Sequence, residues 1–218
     1  LHAGAFDTVL RSVRLREASQ GEMLYEASEP HQRVYFPLGG LIGITSQFGD
    51  GSSLVVAEVG NEGMVGLTAA LGGRRQPMAA IVDVVGEVLD VPVGTMQELM
   101  ERDASTRTAV QRYASRRLAQ TELNAACLAR HTLEARLARW LLRAWEATAR
   151  DGTLLMTQER LSQVLGTHRP SITLASRRLR DRGAIGHRRG RLEIVDAERL
   201  AQASCTCYKA FLALVEGA

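Results

Sequence analysis

The residues whose types and spacing could do chemistry fall between Met156 and Ile194, and the chemistry they suit is recognition of an anionic partner. Thr157 can accept a hydrogen bond at the start of a helix whose buried positions would be Leu161, Val164 and Leu165. Gly166 supplies the positive φ needed where two helices meet at a sharp angle, and Pro170 fits the first turn of the next helix, where a missing amide hydrogen costs nothing. Ile172, Ala175 and Leu179 recur at i, i+3 and i+7 as that helix's buried stripe, which leaves Arg169, Ser171, Thr173, Arg177 and Arg180 on its other face. This is the layout of a helix-turn-helix, whose second helix sets N-terminal side chains against base edges while hydroxyls and arginines hold phosphates. Ala184-Ile185-Gly186-His187 and Leu192-Glu193-Ile194 then read as a strand pair around Arg188-Arg189-Gly190-Arg191. Like charges crowded on a tip repel one another, so phosphates make sense of this wing; a solvated turn is the alternative.

Catalysis has no comparable support. Serines, cysteines and histidines occur without a nucleophile elbow, an HExxH helix or a phosphate loop, so the chain reads as a non-enzyme. Charge agrees with a polyanion partner. Residues 1–100 hold six arginines and twelve carboxylates, −6, whereas residues 101–218 hold twenty arginines and Lys209 against twelve carboxylates, +9. Within residues 152–200 ten arginines face five carboxylates. Arginine's planar fork suits bidentate contacts to phosphate and guanine, although a GC-rich genome would also favour it.

These side chains need a scaffold, and 218 residues leave room for two cores. A hydrophobic fraction of 45% and a charged fraction of 23% are those of an ordinary globular chain and exclude collagen-like, disulfide-framework and disordered classes. No run of 18 apolar residues and no secretory signal is visible, which makes the cytoplasm the expected compartment and leaves no role for a membrane. Three cysteines, two of them as close as Cys205 and Cys207, fit a reducing environment. From Val13 to about Val93, turn signals such as Asp50-Gly51 break up short apolar segments, which predicts an antiparallel sandwich or barrel with a hairpin at Phe48–Ser52. His31 reads as a lone surface histidine. Residues 94–150 lack proline and, after Gly94, glycine, and predict long helices. Ala114, Leu118, Thr121, Ala125 and Leu128 follow a 4, 3, 4, 3 spacing, a heptad seam for two parallel helices or a stripe packed on the same chain's barrel. A further helix is expected from Thr132, with Leu133, Leu137, Trp140, Leu141 and Ala144 on one face, Arg136, Arg139 and Arg143 on another, and Asp151-Gly152 at its end.

Gly21-Glu22-Met23-Leu24-Tyr25, Gly60-Asn61-Glu62-Gly63-Met64-Val65-Gly66-Leu67 and Thr157-Gln158-Glu159 through Gly166 into Arg169-Pro170-Ser171-Ile172 together resemble the Crp/Fnr transcription regulators, over about residues 10–205. The resemblance implies an α+β protein of two domains: an antiparallel, cyclic-nucleotide-binding-like β-roll (1–103) and a winged helix-turn-helix (132–218), joined by a long dimerisation helix (104–131). It implies a homodimer on double-stranded DNA with two-fold symmetry, recognition helices about 34 Å apart, and RNA polymerase as a partner if the protein activates.

The pattern is broken where family members hold cyclic AMP. Met64 stands where a glutamate holds the ribose and Met78 where an arginine neutralises the cyclic phosphate, so a degenerate pocket is expected, with Arg74 and Arg75 the nearest replacement charges. An unpaired phosphodiester in a partly dry pocket would cost on the order of several kcal/mol, and no cyclic-nucleotide response is expected. No cysteine precedes Cys127, against an iron–sulfur cluster, and His2 and His31 make poor haem ligands. Cys205-Thr206-Cys207 could bind a soft metal or act as a thiol switch, but the spacing alone predicts no metal site and no cofactor. In the recognition helix Arg169 matches the first of the family's readers, while Pro170 and Leu174 replace the other two. Arg169 is assigned to a guanine, His168 and Thr173 to a base edge or sugar, and Ser171, Arg177, Arg188, Arg189 and Arg191 to phosphates. A small-molecule-binding or protein-interaction module that uses the winged helix as a docking surface is the competing function.

Overall fold

The computed structural model describes residues 12–73, 75–148, 153–188 and 191–216. Among the described residues, the N-terminal part carries seven strands: β1 (Arg14–Ala18), β2 (Met23–Tyr25), β3 (Arg33–Pro37), β4 (Leu41–Gln47), β5 (Ser53–Val59), β6 (Ala79–Val84) and β7 (Gly86–Pro92), with a short helix α1 (Leu67–Ala70) between β5 and β6. They form two sheets, ordered β1-β7-β3 and β2-β6-β4-β5. The centre strand β7 runs antiparallel to β1, with Arg14 opposite Asp90, and to β3, with Tyr35 opposite Asp90. Asp90 is buried and ion-paired to Arg33, with Arg16 3.8 Å away, so one carboxylate ties all three strands. At the start of β7 the backbone of Gly86 lies so close to that of Gly39 that a Cβ there would come within 2.2 Å of it. The expected hairpin is present, with Phe48 N–H donating to Ser52 O and Gly51 at φ +81°.

Helices follow: α2 (Val93–Arg102), α3 (Ala104–Arg130), α4 (Leu133–Ala147), α5 (Gln158–Leu165), α6 (Arg169–Asp181), α7 (Ala197–Ala203) and α8 (Cys207–Glu216). The break between α2 and α3 falls at Asp103, which is extended and whose carboxylate accepts from Ser105 Oγ and from Thr106 N and Oγ1, restarting the helix. α4 starts where Thr132 accepts from Ala135 N–H. It ends earlier than expected, at Ala147, where Thr148 caps it through its N–H and Oγ1 to Trp145 O; Asp151-Gly152, the expected end, lies outside the described residues. A third sheet, β8 (Thr153–Leu154), β9 (Ile185–Arg188) and β10 (Arg191–Ile194), is ordered β8-β10-β9; β9 and β10 are the expected wing strands.

The chain forms two compact units. One comprises residues 1–44 and 58–118, the other residues 45–57 and 119–218. In the first, Val34, Met64, Val91, Met96, Val110 and Tyr113 form an apolar core, and Tyr113 donates to Met64 O at 3.0 Å. His31 departs from expectation: its ring lies 3.8 Å from that of Tyr25, both ring nitrogens are shut off from solvent, and burial lowers its pKa. The flat imidazole covers a tyrosine rather than facing water. In the second, Leu137, Trp140, Leu141, Leu161, Ile172, Leu179, Leu192 and Leu200 are fully buried.

Candidate nucleic-acid interface

The geometry of α5 and α6 follows from a few residues. Thr157 caps α5 by accepting from Arg160 N–H at 3.0 Å, Gly166 ends it in the left-handed region at φ +58°, and Pro170 occupies the first turn of α6. Leu161, Val164 and Leu165 are buried on α5, and Ile172, Ala175 and Leu179 on α6. Two further contacts lock the pair. Arg136 of α4 donates to Leu165 O at 2.7 Å at the C-terminal end of α5, and Glu134 of α4 pairs with Arg182 at 3.0 Å and Arg178 at 3.8 Å near the end of α6. The arginines of α4 are thus internal braces: Arg139 donates to Asn124 Oδ1 at 2.8 Å, and Arg143 lies 4.0 Å over the Phe211 ring.

What α6 leaves outward is a polar, basic face. His168, Arg169, Pro170, Ser171, Thr173, Arg177 and Arg180 are exposed, and so is Leu174, at 52%. Thr173 Oγ1 lies 2.7 Å from Gln158 Oε1 and 3.1 Å from Arg169 O, so its proton is engaged within the protein and it presents mainly its methyl group and oxygen lone pairs. Gln158 enters the sequence reading only as part of the Thr157-Gln158-Glu159 motif, with no role of its own. Arg191 is exposed on the wing and its backbone pairs with that of Arg188; the Arg188 side chain and Arg189 lie outside what the structure describes. The tip of the β4–β5 hairpin lies near the turn: Phe48 and Asp50 to Leu54 share with Glu159, Ser162, Gln163 and Gly166 to Arg169 a cleft of about 610 Å³.

The seam residues of α3 separate from its packed face. Val110, Tyr113, Gln120, Asn124 and Cys127 are buried, whereas Leu118 is 64% and Leu128 38% exposed, Thr121 and Ala125 are exposed and Ala114 is half-buried. At about 100° per residue the two stripes lie roughly a quarter-turn apart. In the other predicted pocket, Met64 is 4% exposed and borders a largely apolar cavity of about 510 Å³, together with Phe36, Met96, Leu99, Tyr113 and Arg116. Met78 is half-buried and Arg75 exposed, and neither lines that cavity; Arg74 lies outside the described residues. One grouping has no counterpart in the sequence reading: Cys127, His131, Cys205 and Cys207 come together, although 74 residues separate His131 from Cys205. The i, i+4 spacing of Cys127 and His131 on a helix was the available signal.

A basic helix presented on a capped turn beside a wing defines a class, the DNA-binding winged helix-turn-helix regulators, and comparison with known proteins agrees. Residues 15–103 match the cyclic nucleotide-binding domain and residues 135–203 the Crp-like helix-turn-helix domain. The global nitrogen regulator of Synechococcus elongatus is 24% identical over 199 residues, 87% of this chain and 89% of that protein. FixK2 from Bradyrhizobium japonicum shares the fold with a TM-score of 0.73 at 19% identity, covering 89% of this chain and 98% of that one. The c-di-GMP responsive global regulator CLP of Xanthomonas campestris gives 0.67 at 19% identity, covering 89% and 99%. The chain belongs to the Crp/Fnr family of transcription regulators. It is a DNA-binding transcription regulator and not an enzyme. None of its described helices is long and apolar enough to cross a membrane.

Proposed function

We propose that the protein is a cytoplasmic homodimer that binds a two-fold symmetric operator and reads it with α6. The observation that carries this reading is the division of α6 into a buried stripe, Ile172, Ala175 and Leu179, and an exposed face carrying Arg169, Ser171, Thr173 and Arg177. Arg169, at the first helical position, reaches a guanine O6/N7 edge; His168 and the Thr173 methyl contact base edge or sugar; and Ser171, Arg177, Arg188, Arg189 and Arg191 hold phosphates. Leu174 supplies apolar contact of the kind that fits a thymine methyl, so one operator position should be an A·T pair. Ala114, Leu118, Thr121, Ala125 and Leu128 form the dimer seam, and the exposure of Leu118 and Leu128 supports it.

The functional division follows: residues 1–103 sense, 104–131 dimerise and 132–218 bind DNA, with RNA polymerase a partner if the protein activates. Sensing does not use a cyclic nucleotide. Met64 is packed in an apolar core, neither Met78 nor Arg75 lines the cavity beside it, and the Arg116 that does is accompanied there by Glu62, so a cyclic phosphate would meet no net countercharge. Selection of bound sites from random DNA at two salt concentrations tests the proposal, with calorimetry against cyclic AMP beside it. The expected result is an inverted repeat whose half-sites lie one helical turn apart, and no nucleotide heat. Absence of any enriched sequence overturns it.

A further inference from the structure

Cys127 and His131 sit one turn apart at the C-terminal end of α3, Cys205 lies between α7 and α8, and Cys207 is the first residue of α8. All four belong to the second unit. Their ligand atoms, three Sγ and one imidazole nitrogen, lie within 4.8 Å of one another. Cys127 Sγ is 3.5 Å from Cys205 Sγ, and Cys207 Sγ is 3.5 Å from His131 Nδ1. Ligands at the usual zinc distances of about 2.3 Å for sulfur and 2.0–2.1 Å for nitrogen stand about 3.5–3.8 Å apart along the edges of a tetrahedron. The group therefore already approximates that figure and needs a contraction of about 1 Å at its widest separation to reach it. All three thiols are buried, with Leu123 and Ala135 packed against them.

We propose that Cys127, His131, Cys205 and Cys207 form a mononuclear site for a thiophilic divalent cation, with zinc the fitting ion. Three thiolates and one neutral imidazole make a closed, tetrahedral set of the structural type, and soft sulfur donors select against magnesium and calcium. An iron–sulfur cluster needs its thiolates held apart by an iron–sulfide core, whereas four ligand atoms within 4.8 Å enclose a single ion. The charge also balances. Each thiol gives up its proton on binding, so a 2+ ion leaves the site at −1, and Arg136 and Arg139 of α4 lie close enough to act electrostatically on these sulfurs. His131 and Thr132 are the two residues between α3 and α4. The ion therefore pins the α7–α8 linker to the junction through which the seam helix leads into the helix-turn-helix. That consequence rests on the proposed function; the site itself does not.

The test is made on the full chain purified under reducing conditions without chelator. Elemental analysis should find one zinc per chain, and cobalt exchange should give the visible bands of a tetrahedral ion with sulfur-to-cobalt charge transfer in the near ultraviolet. Cys205→Ser and Cys207→Ser should each lose stoichiometric metal. Cys127 is almost fully buried, and its replacement could cost the fold. His131→Gln at a half-buried position is the safer second variant, expected to keep native circular dichroism while weakening and shifting the cobalt spectrum. Three thiols that react freely in folded protein supplied with zinc, a Cys127–Cys205 disulfide without metal, or metal content unchanged in all the variants would each overturn the site. A metal-loaded protein that binds no DNA would leave the site standing and remove the functional reading instead.

Discussion

Truncating Leu118 tests the proposed dimer seam apart from the rest of the fold. The side chain is 64% exposed within one chain, so Leu118→Ala removes little of that chain's own packing and places a better helix former on α3. Burying a whole leucine is worth about 1.5–3 kcal/mol, so covering this fraction is worth about 1–2 kcal/mol, and two-fold symmetry counts it twice, about 2–4 kcal/mol per dimer. At about 1.4 kcal/mol per decade, the dimer dissociation constant should rise by roughly 30- to 700-fold. Sedimentation velocity over a dilution series of wild type and variant measures this directly, with helix content followed by circular dichroism. Ala126→Gln, exposed but about 100° round the helix from the seam, serves as the control and should leave association unchanged. A variant that dimerises as tightly as wild type, or a wild type that stays monomeric throughout the series, would refute the reasoning.

Other outcomes follow from the same contacts. Gly166→Ala forces a side chain into the left-handed region, at about 1–2 kcal/mol, and sets its Cβ 2.6 Å from Leu54 Cδ1; chemical denaturation should show the loss, and Leu54→Ala should relieve the steric part of it. Burial lowers the pKa of His31 and of His187 below the ordinary 6.5. Both rings are therefore favoured neutral in the folded chain, and their contribution is complete above about pH 6.5 and is lost as the pH falls towards the folded values. Denaturation midpoints should drop on acidification below that point, and His31→Phe should flatten the dependence. Arg191→Ala on the wing should weaken binding to all DNA sequences alike and reduce the salt slope by about 1 in a salt titration.

The helix-turn-helix was legible because its determinants are local. Thr157, Gly166 and Pro170 each act within a turn or two of the residues they organise, and the buried spacing of Ile172, Ala175 and Leu179 is set by helical geometry alone. The strand pair of the wing was legible for the same reason. What sequence reading missed depends on contacts between distant segments. β8 is two residues long and exists by pairing with β10. Arg136, Arg139 and Arg143 read as one face of an amphipathic helix, yet their partners Leu165, Asn124 and Phe211 lie on other helices. His31 finds Tyr25 across a turn, and the pairing of Cys127 and His131 with Cys205 and Cys207 requires α7 and α8 to fold back on the end of α3. The seam on α3 was visible as a period, but which of two neighbouring stripes faced the chain's own core was settled only by the packing of Tyr113, Gln120 and Asn124.

The most direct measurement is the affinity of Arg169→Ala and wild type for the selected operator and for random DNA of equal length at one salt concentration. The account predicts a loss of about 1–3 kcal/mol on the operator, relaxed preference at a single base pair, and a much smaller loss on random DNA. Equal losses on both would contradict it, because Arg169 would then be contributing charge alone and α6 would not be reading bases.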